Sequence, residues 1–108
     1  MIGENQRLRE LFLIHPSPRI LCMPKISQFF GIVIYMYFRD HAPPHFHAQY
    51  GEFEGLIGID SRTLIQGNLP PRVLGLVMEW ASLYSKELSK SWEAASKGSP
   101  PHKIPPLK

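Results

Sequence analysis

Apolar residues recur every three or four positions near the C-terminal end of the chain, at Val73, Val77, Trp80, Tyr84, Leu88, Trp92 and Ala95. That spacing is the stripe of an amphipathic helix. Asn68 can cap its start, Pro70 and Pro71 suit a first turn, and Gly98 suits its end. No breaker lies between Pro71 and Lys97, so the pattern predicts one long helix. Ser89 and Ser91 are poor helix-interior residues and leave open a bend there, or a division into two helices. The tail "SPPHKIPPLK" cannot be helical; it should pack extended, with Ile104 and Leu107 as anchors.

Upstream the chain reads as strands. "GIVIYMYF" (31–38) is β-branched and aromatic, and apolar on both faces, which predicts a central strand. "HFHAQY" (45–50) alternates, Gly51-Glu52 has the form of a type II′ hairpin turn, and "FEGLIGID" (53–60) returns. "RTLIQG" (62–67) makes a short last strand. The turn fixes a register: Tyr50 faces Phe53, His47 faces Leu56 and His45 faces Gly58. One face then carries Phe46, Ala48, Tyr50, Phe53, Gly55, Ile57 and Ile59, a core face for the helix stripe. The other carries His45, His47, Gln49, Glu52 and Glu54 and is expected to be the wetter one, with space beside Gly58. The predicted fold is α+β: a small antiparallel sheet of three to four strands, one face packed by the long C-terminal helix.

Ahead of this unit, residues 5–14 could make one short amphipathic helix, with Leu8, Leu11 and Phe12 on one side. "HPSPRILCMP" (15–24) then interrupts, and "MPKISQFFGIVIYMY" from Met23 reads like a natural protein start. The expected division is an N-terminal extension over 1–22, either a mis-annotated start or a genuine arm that packs or binds, and a single globular domain over 23–108 with an extended proline-rich tail.

Composition narrows the class without naming a function. At 108 residues, with 44% apolar and 19% charged, the chain is one ordinary folded domain with a modest core. The net charge of +3 permits nucleic-acid contact but does not argue for it, because the basic residues are spread along the chain. Cys22 stands alone, so there is no disulfide framework and no cysteine-based zinc site, and a reducing cytoplasmic location is expected. No apolar run approaches the ~18 residues of a membrane span, and the N-terminus lacks a signal-peptide pattern.

Candidate chemistry is concentrated in "FRDHAPPHFHAQYG" (38–51), which holds three of the five histidines. His41, His45 and His47 are the candidate general acids or bases, because imidazole titrates near neutrality. Arg39, Asp40 and Tyr50 are candidate binding residues, Arg39 for a phosphate. Imidazoles at i and i+2 of a strand can also share an ion, with His41, Asp40 or Glu52 as further ligands. His45-x-His47-x4-Glu52 resembles the first half of a cupin metal motif, but about four strands are too few for that double sheet. The expectation is a pre-organised polar pocket wall that binds an anion beside Arg39, with no metal and no cofactor. Pro43 and Pro44 would hold His41 near His45.

"DHAPPHFHAQYG" (40–51), with "GNLPPRVLGLVMEWASLYSKEL" and "SWEAASKGSPPHKIPPL", resembles the bacterial and archaeal family called domain of unknown function 4160, over residues 23–107. The family carries no assigned activity, so the resemblance supplies no catalytic residue. It implies a small single-domain protein of the kind suspected in toxin–antitoxin-like gene pairs. On that basis the chain is expected to be an interaction module with a small protein partner. Nucleic-acid contact and homo-oligomerisation stay open, and no membrane is involved. The alternatives are a small metal-independent hydrolase or ribonuclease using His41, His45 and His47, and a histidine-based metal-binding protein.

Overall fold

A computed structural model describes residues 24–108; the expected N-terminal helix and the boundary at Met23 lie outside the described residues. Five strands come first: β1 (Lys25–Phe29), β2 (Ile32–Tyr35), β3 (His45–Tyr50), β4 (Phe53–Gly58) and β5 (Leu64–Asn68). Two helices follow, α1 (Pro71–Leu83) and α2 (Ser85–Ser96). The strands form one antiparallel sheet in chain order. The fold is therefore α+β, as the pattern predicts, with five strands among the described residues in place of three to four and two C-terminal helices in place of one.

The additional strand, β1, is hidden in the sequence for two reasons. A register shift between Lys25 and Ser27 breaks its alternation. Its turn to β2 is made by Phe30 and Gly31, both at positive φ (49° and 78°). Positive φ at two central residues is hairpin geometry, but phenylalanine does not announce it. The β3–β4 hairpin forms in the predicted register from Tyr50↔Phe53 to His45↔Gly58. Gly51 has φ 59° while Glu52 is not among the positive-φ residues, as a type II′ turn requires.

The helix divides at Tyr84 (φ −117°, ψ 33°) and not at Ser89 to Ser91. Tyr84 still donates its N–H to Trp80 and accepts from Leu88, so the rod turns with little loss of backbone bonding. Past the turn the buried positions are Leu88, Ser91 and Ala95, while Trp92 is only half-buried. Pro71 occupies the first turn of α1 as expected; Asn68 ends β5 instead of capping, and no side chain caps that terminus. Gly98, at φ 85°, follows the end of α2.

The core lies between the sheet and the helices. Trp80 is fully buried, its ring centroid 5.4 Å from Phe29 and 5.6 Å from Phe46. The tail closes the open side, with Ile104 and Leu107 buried. Ile104 N–H donates to Ile26 at 2.8 Å, Trp80 Nε1–H to the Pro105 carbonyl at 2.9 Å, and Ser91 Oγ–H to the His102 carbonyl at 2.9 Å. Among the described residues no helix is long and apolar enough to cross a membrane.

Candidate functional site: an Asp–His–His cluster

Alternation along β3 puts His45 and His47 on the sheet face opposite Phe46 and Ala48. That face is not wet. His45 and His47 are only 5% and 6% exposed, which corrects the expectation of a solvated face. Three rings cover them. Tyr35, the cross-strand partner of His47, stacks on it at 5.3 Å and 8°, and Tyr37 lies 4.4 Å from the same imidazole. Trp92, reaching over from α2, lies 5.1 Å from His45. Nor is there space beside Gly58: a side chain there would meet Ser61 Oγ and the Ile65 Cδ1 methyl, 3.2 Å away.

The loop from β2 to β3 brings Asp40 onto the two imidazoles. Asp40 Oδ2 lies 2.9 Å from His45 Nε2 and 3.5 Å from His47 Nε2. Its other oxygen accepts the His41 N–H at 2.7 Å. On the far side of the His45 ring, Nδ1 is 2.8 Å from the Pro43 carbonyl. On the far side of the His47 ring, Nδ1 is buried without a hydrogen bond, 3.5 Å from Glu54 Oε2. That same Glu54 oxygen accepts the Tyr35 hydroxyl at 2.7 Å.

Charge follows from these contacts. Partial burial disfavours ionised Asp40, but the contacts with His45 and His47 and the His41 N–H outweigh it and hold the carboxyl well below the usual range. Burial likewise opposes charging of His47, yet the Asp40 and Glu54 carboxylates prevail and its pKa is raised. Burial and the Glu54 carboxylate push the Tyr35 phenol up.

The sequence candidates thus separate. Asp40, His45 and His47 come together, with one donor atom from each within 4.8 Å of the others. His41 is exposed, and only its backbone joins the group. Arg39, expected beside the histidines, aims its guanidinium at Gly98, and its backbone N–H donates to the Ala95 carbonyl at 2.9 Å, at the C-terminal end of α2. A cation is favourable there, where carbonyls point outward. Tyr50 lies at the far end of β3 with its ring against Gly31. Glu52 is exposed in the hairpin turn, and Glu54 is the carboxylate that reaches His47. Sequence reasoning missed Tyr35, Tyr37 and Trp92 as neighbours of the histidines. The Tyr35↔His47 pairing was accessible only through the β2–β3 register, which no short turn dictates.

Two cavities lie away from the cluster. One, of about 340 Å³, is lined by Phe30, Tyr50, Arg72, Val73 and Leu76. The other, of about 450 Å³, runs between the β4–β5 turn and α2, with Arg62, Lys86, Lys90 and Asp60 among its lining.

Comparison with curated proteins and with solved structures gives no match. A family model described as "Domain of unknown function (DUF4160)" matches residues 31–93, more than half of the chain and the whole of the Asp40–His47 segment. The chain belongs to the DUF4160 family.

Proposed function

We propose that this chain is a protein-interaction module, one member of a toxin–antitoxin-like pair, whose partner is a small acidic protein. The observation that carries the reading is an exposed aromatic groove. Phe30 is 59% exposed and Tyr50 37%, and both line the groove at the β1–β2 turn; Phe53, 38% exposed, is the cross-strand partner of Tyr50. Monomeric proteins rarely leave grouped aromatic side chains in water without a use for them. Arg72 lines the same groove and has no ion pair among the described residues. With a net charge of +3, the chain favours a partner that brings an apolar side chain and a carboxylate to this place.

The test is co-expression with the product of the adjacent gene, followed by affinity purification. A stoichiometric complex is expected. Phe30→Ala with Tyr50→Ala should weaken it by more than about tenfold while circular dichroism stays unchanged, since both side chains are exposed. No complex, or full affinity in the double variant, would remove the support for this reading.

A second reading is a small metal-independent hydrolase or ribonuclease. The 2.9 Å Asp40–His45 contact favours it, because a carboxylate can orient a catalytic imidazole. Against it stand the burial of His45 and His47 and the exposed, separate position of His41. RNA cleavage abolished by His45→Gln and His47→Gln, with the fold retained, would put this reading first.

A further inference from the structure

We infer that Asp40, His45 and His47 bind one divalent first-row transition-metal ion, zinc before others, and that the ion fastens the β2–β3 loop to the sheet.

The argument begins with protons. A neutral imidazole carries one N–H and one lone pair. The Pro43 carbonyl can only accept, so the proton of His45 belongs on Nδ1, 2.8 Å from that oxygen. Nε2 then presents its lone pair to Asp40 Oδ2 at 2.9 Å, and a carboxylate oxygen is also only an acceptor. Two lone pairs do not face each other at that distance without a proton or a metal ion between them. His47 poses the same problem. Its Nε2 faces Asp40 and its Nδ1 faces Glu54, so both ring nitrogens look at carboxylates, at 3.5 Å each. Satisfying both rings with protons alone needs two imidazolium ions, with ring centroids 5.2 Å apart and both rings buried. Asp40 and Glu54 offset that charge, but like charges at that spacing, away from water, still repel each other.

One divalent ion resolves both conflicts. It replaces the two Nε2 protons, carries the same charge at one point, and leaves both rings neutral. Each ring then keeps its Nδ1 proton toward an oxygen, Pro43 for His45 and Glu54 for His47. Histidine ligands of metals regularly donate their other N–H to a carbonyl or carboxylate, which fixes tautomer and ring orientation. Here Tyr35 in turn holds the Glu54 oxygen at 2.7 Å.

Two of the three spacings bracket those of a zinc shell. Ligands about 2.0–2.2 Å from a tetrahedral zinc lie about 3.3 Å from each other. Asp40 Oδ2 stands 2.9 and 3.5 Å from the two Nε2 atoms, and the donor atoms of all three residues lie within 4.8 Å of one another. Two nitrogens and one oxygen suit zinc and its borderline neighbours better than magnesium or calcium, which prefer all-oxygen shells. Three protein donors leave a fourth position for water. The site is independent of the aromatic groove and of the partner proposed for it.

The test uses the full chain, stripped with a chelator and titrated with Zn²⁺ by calorimetry and with Co²⁺ by visible absorption. One ion per chain is expected, bound at micromolar concentration or tighter. The Co²⁺ complex should show four-coordinate d–d bands without a thiolate charge-transfer band. Asp40→Asn, His45→Gln and His47→Gln should each lower affinity more than Glu54→Gln, which should cost roughly 10-fold. His41→Gln and His102→Gln should change nothing. Should a ligand variant fail to fold, imidazole ¹⁵N spectra of the unaltered chain decide. Two histidines whose Nε2 signals move on adding zinc support the site; two imidazolium rings unaffected by zinc overturn it. Absence of saturable binding below millimolar zinc, or full affinity in Asp40→Asn, also overturns it.

Discussion

Asp40 reaches forward five residues to place Oδ2 2.9 Å from His45 Nε2, closing the double-proline loop onto the first residue of β3. Removing the carboxylate leaves the Nε2 atoms of His45 and His47, both rings buried, without the group they face. Asp40→Ala should therefore destabilise the chain by about 3 kcal/mol. His41→Ala, at an exposed side chain one position on, should stay within about 0.5 kcal/mol of the parent. Urea unfolding of the two variants side by side checks this; equal losses would mean that the loop, not the carboxylate, is what matters.

The stability of the chelated chain should depend on pH in two directions. Asp40 has a lowered pKa, so its contribution is present above the unfolded value near 4 and is lost as pH falls below it. His47 has a raised pKa, so its contribution is full below the unfolded value near 6.5 and is lost as pH rises through the folded value. Thermal melts in chelator should give a higher midpoint at pH 6 than at pH 8. Saturating zinc should reverse that slope, because ion binding requires neutral imidazoles. A chelated chain that melts higher at pH 8 would contradict the pairing of His47 with carboxylates.

Trp80 combines full burial, three aromatic neighbours (Phe29, Phe46 and Tyr84) and a hydrogen bond to Pro105. Trp80→Ala should cost roughly 3–5 kcal/mol through the cavity it opens. Trp80→Phe should cost less, because it keeps most of the apolar area and gives up chiefly the Nε1–H bond to the tail. Denaturant titrations separate the two; a loss under 0.5 kcal/mol for the alanine variant would place the ring outside the core.

The tail is structural although it has no regular structure. Ending the chain at Gly98 removes Ile104 and Leu107 from the core, each worth about 1.5–3 kcal/mol of burial. It also strips the partners of Trp80 Nε1, Ser91 Oγ and the Ile26 carbonyl. The truncated chain should be largely unfolded at 37 °C by circular dichroism. The milder Ser91→Ala should cost about 1 kcal/mol, one buried hydrogen bond.

What the sequence determined by itself is local. A two-residue turn beginning with glycine dictated the whole β3–β4 register, and hence that His45 and His47 share a face. Helical period named Val73, Val77, Trp80 and Leu88 as buried, and apolar residues in a proline-rich tail named Ile104 and Leu107. Each of these follows from geometry within a few residues, where chain connectivity permits few solutions. The tertiary structure decided what meets what. A bulged first strand turning at Phe30 supplied the fifth strand, and a one-residue interruption at Tyr84 redirected α2 so that Trp92 covers His45. That cover, with Tyr35 and Tyr37 from β2, buried a face whose polar residues had suggested water. It also moved Arg39 to the end of α2 and left Asp40 as the partner of the histidines. Polarity reports what a side chain can bond to; whether water or another part of the chain supplies the bond depends on packing between segments far apart in sequence.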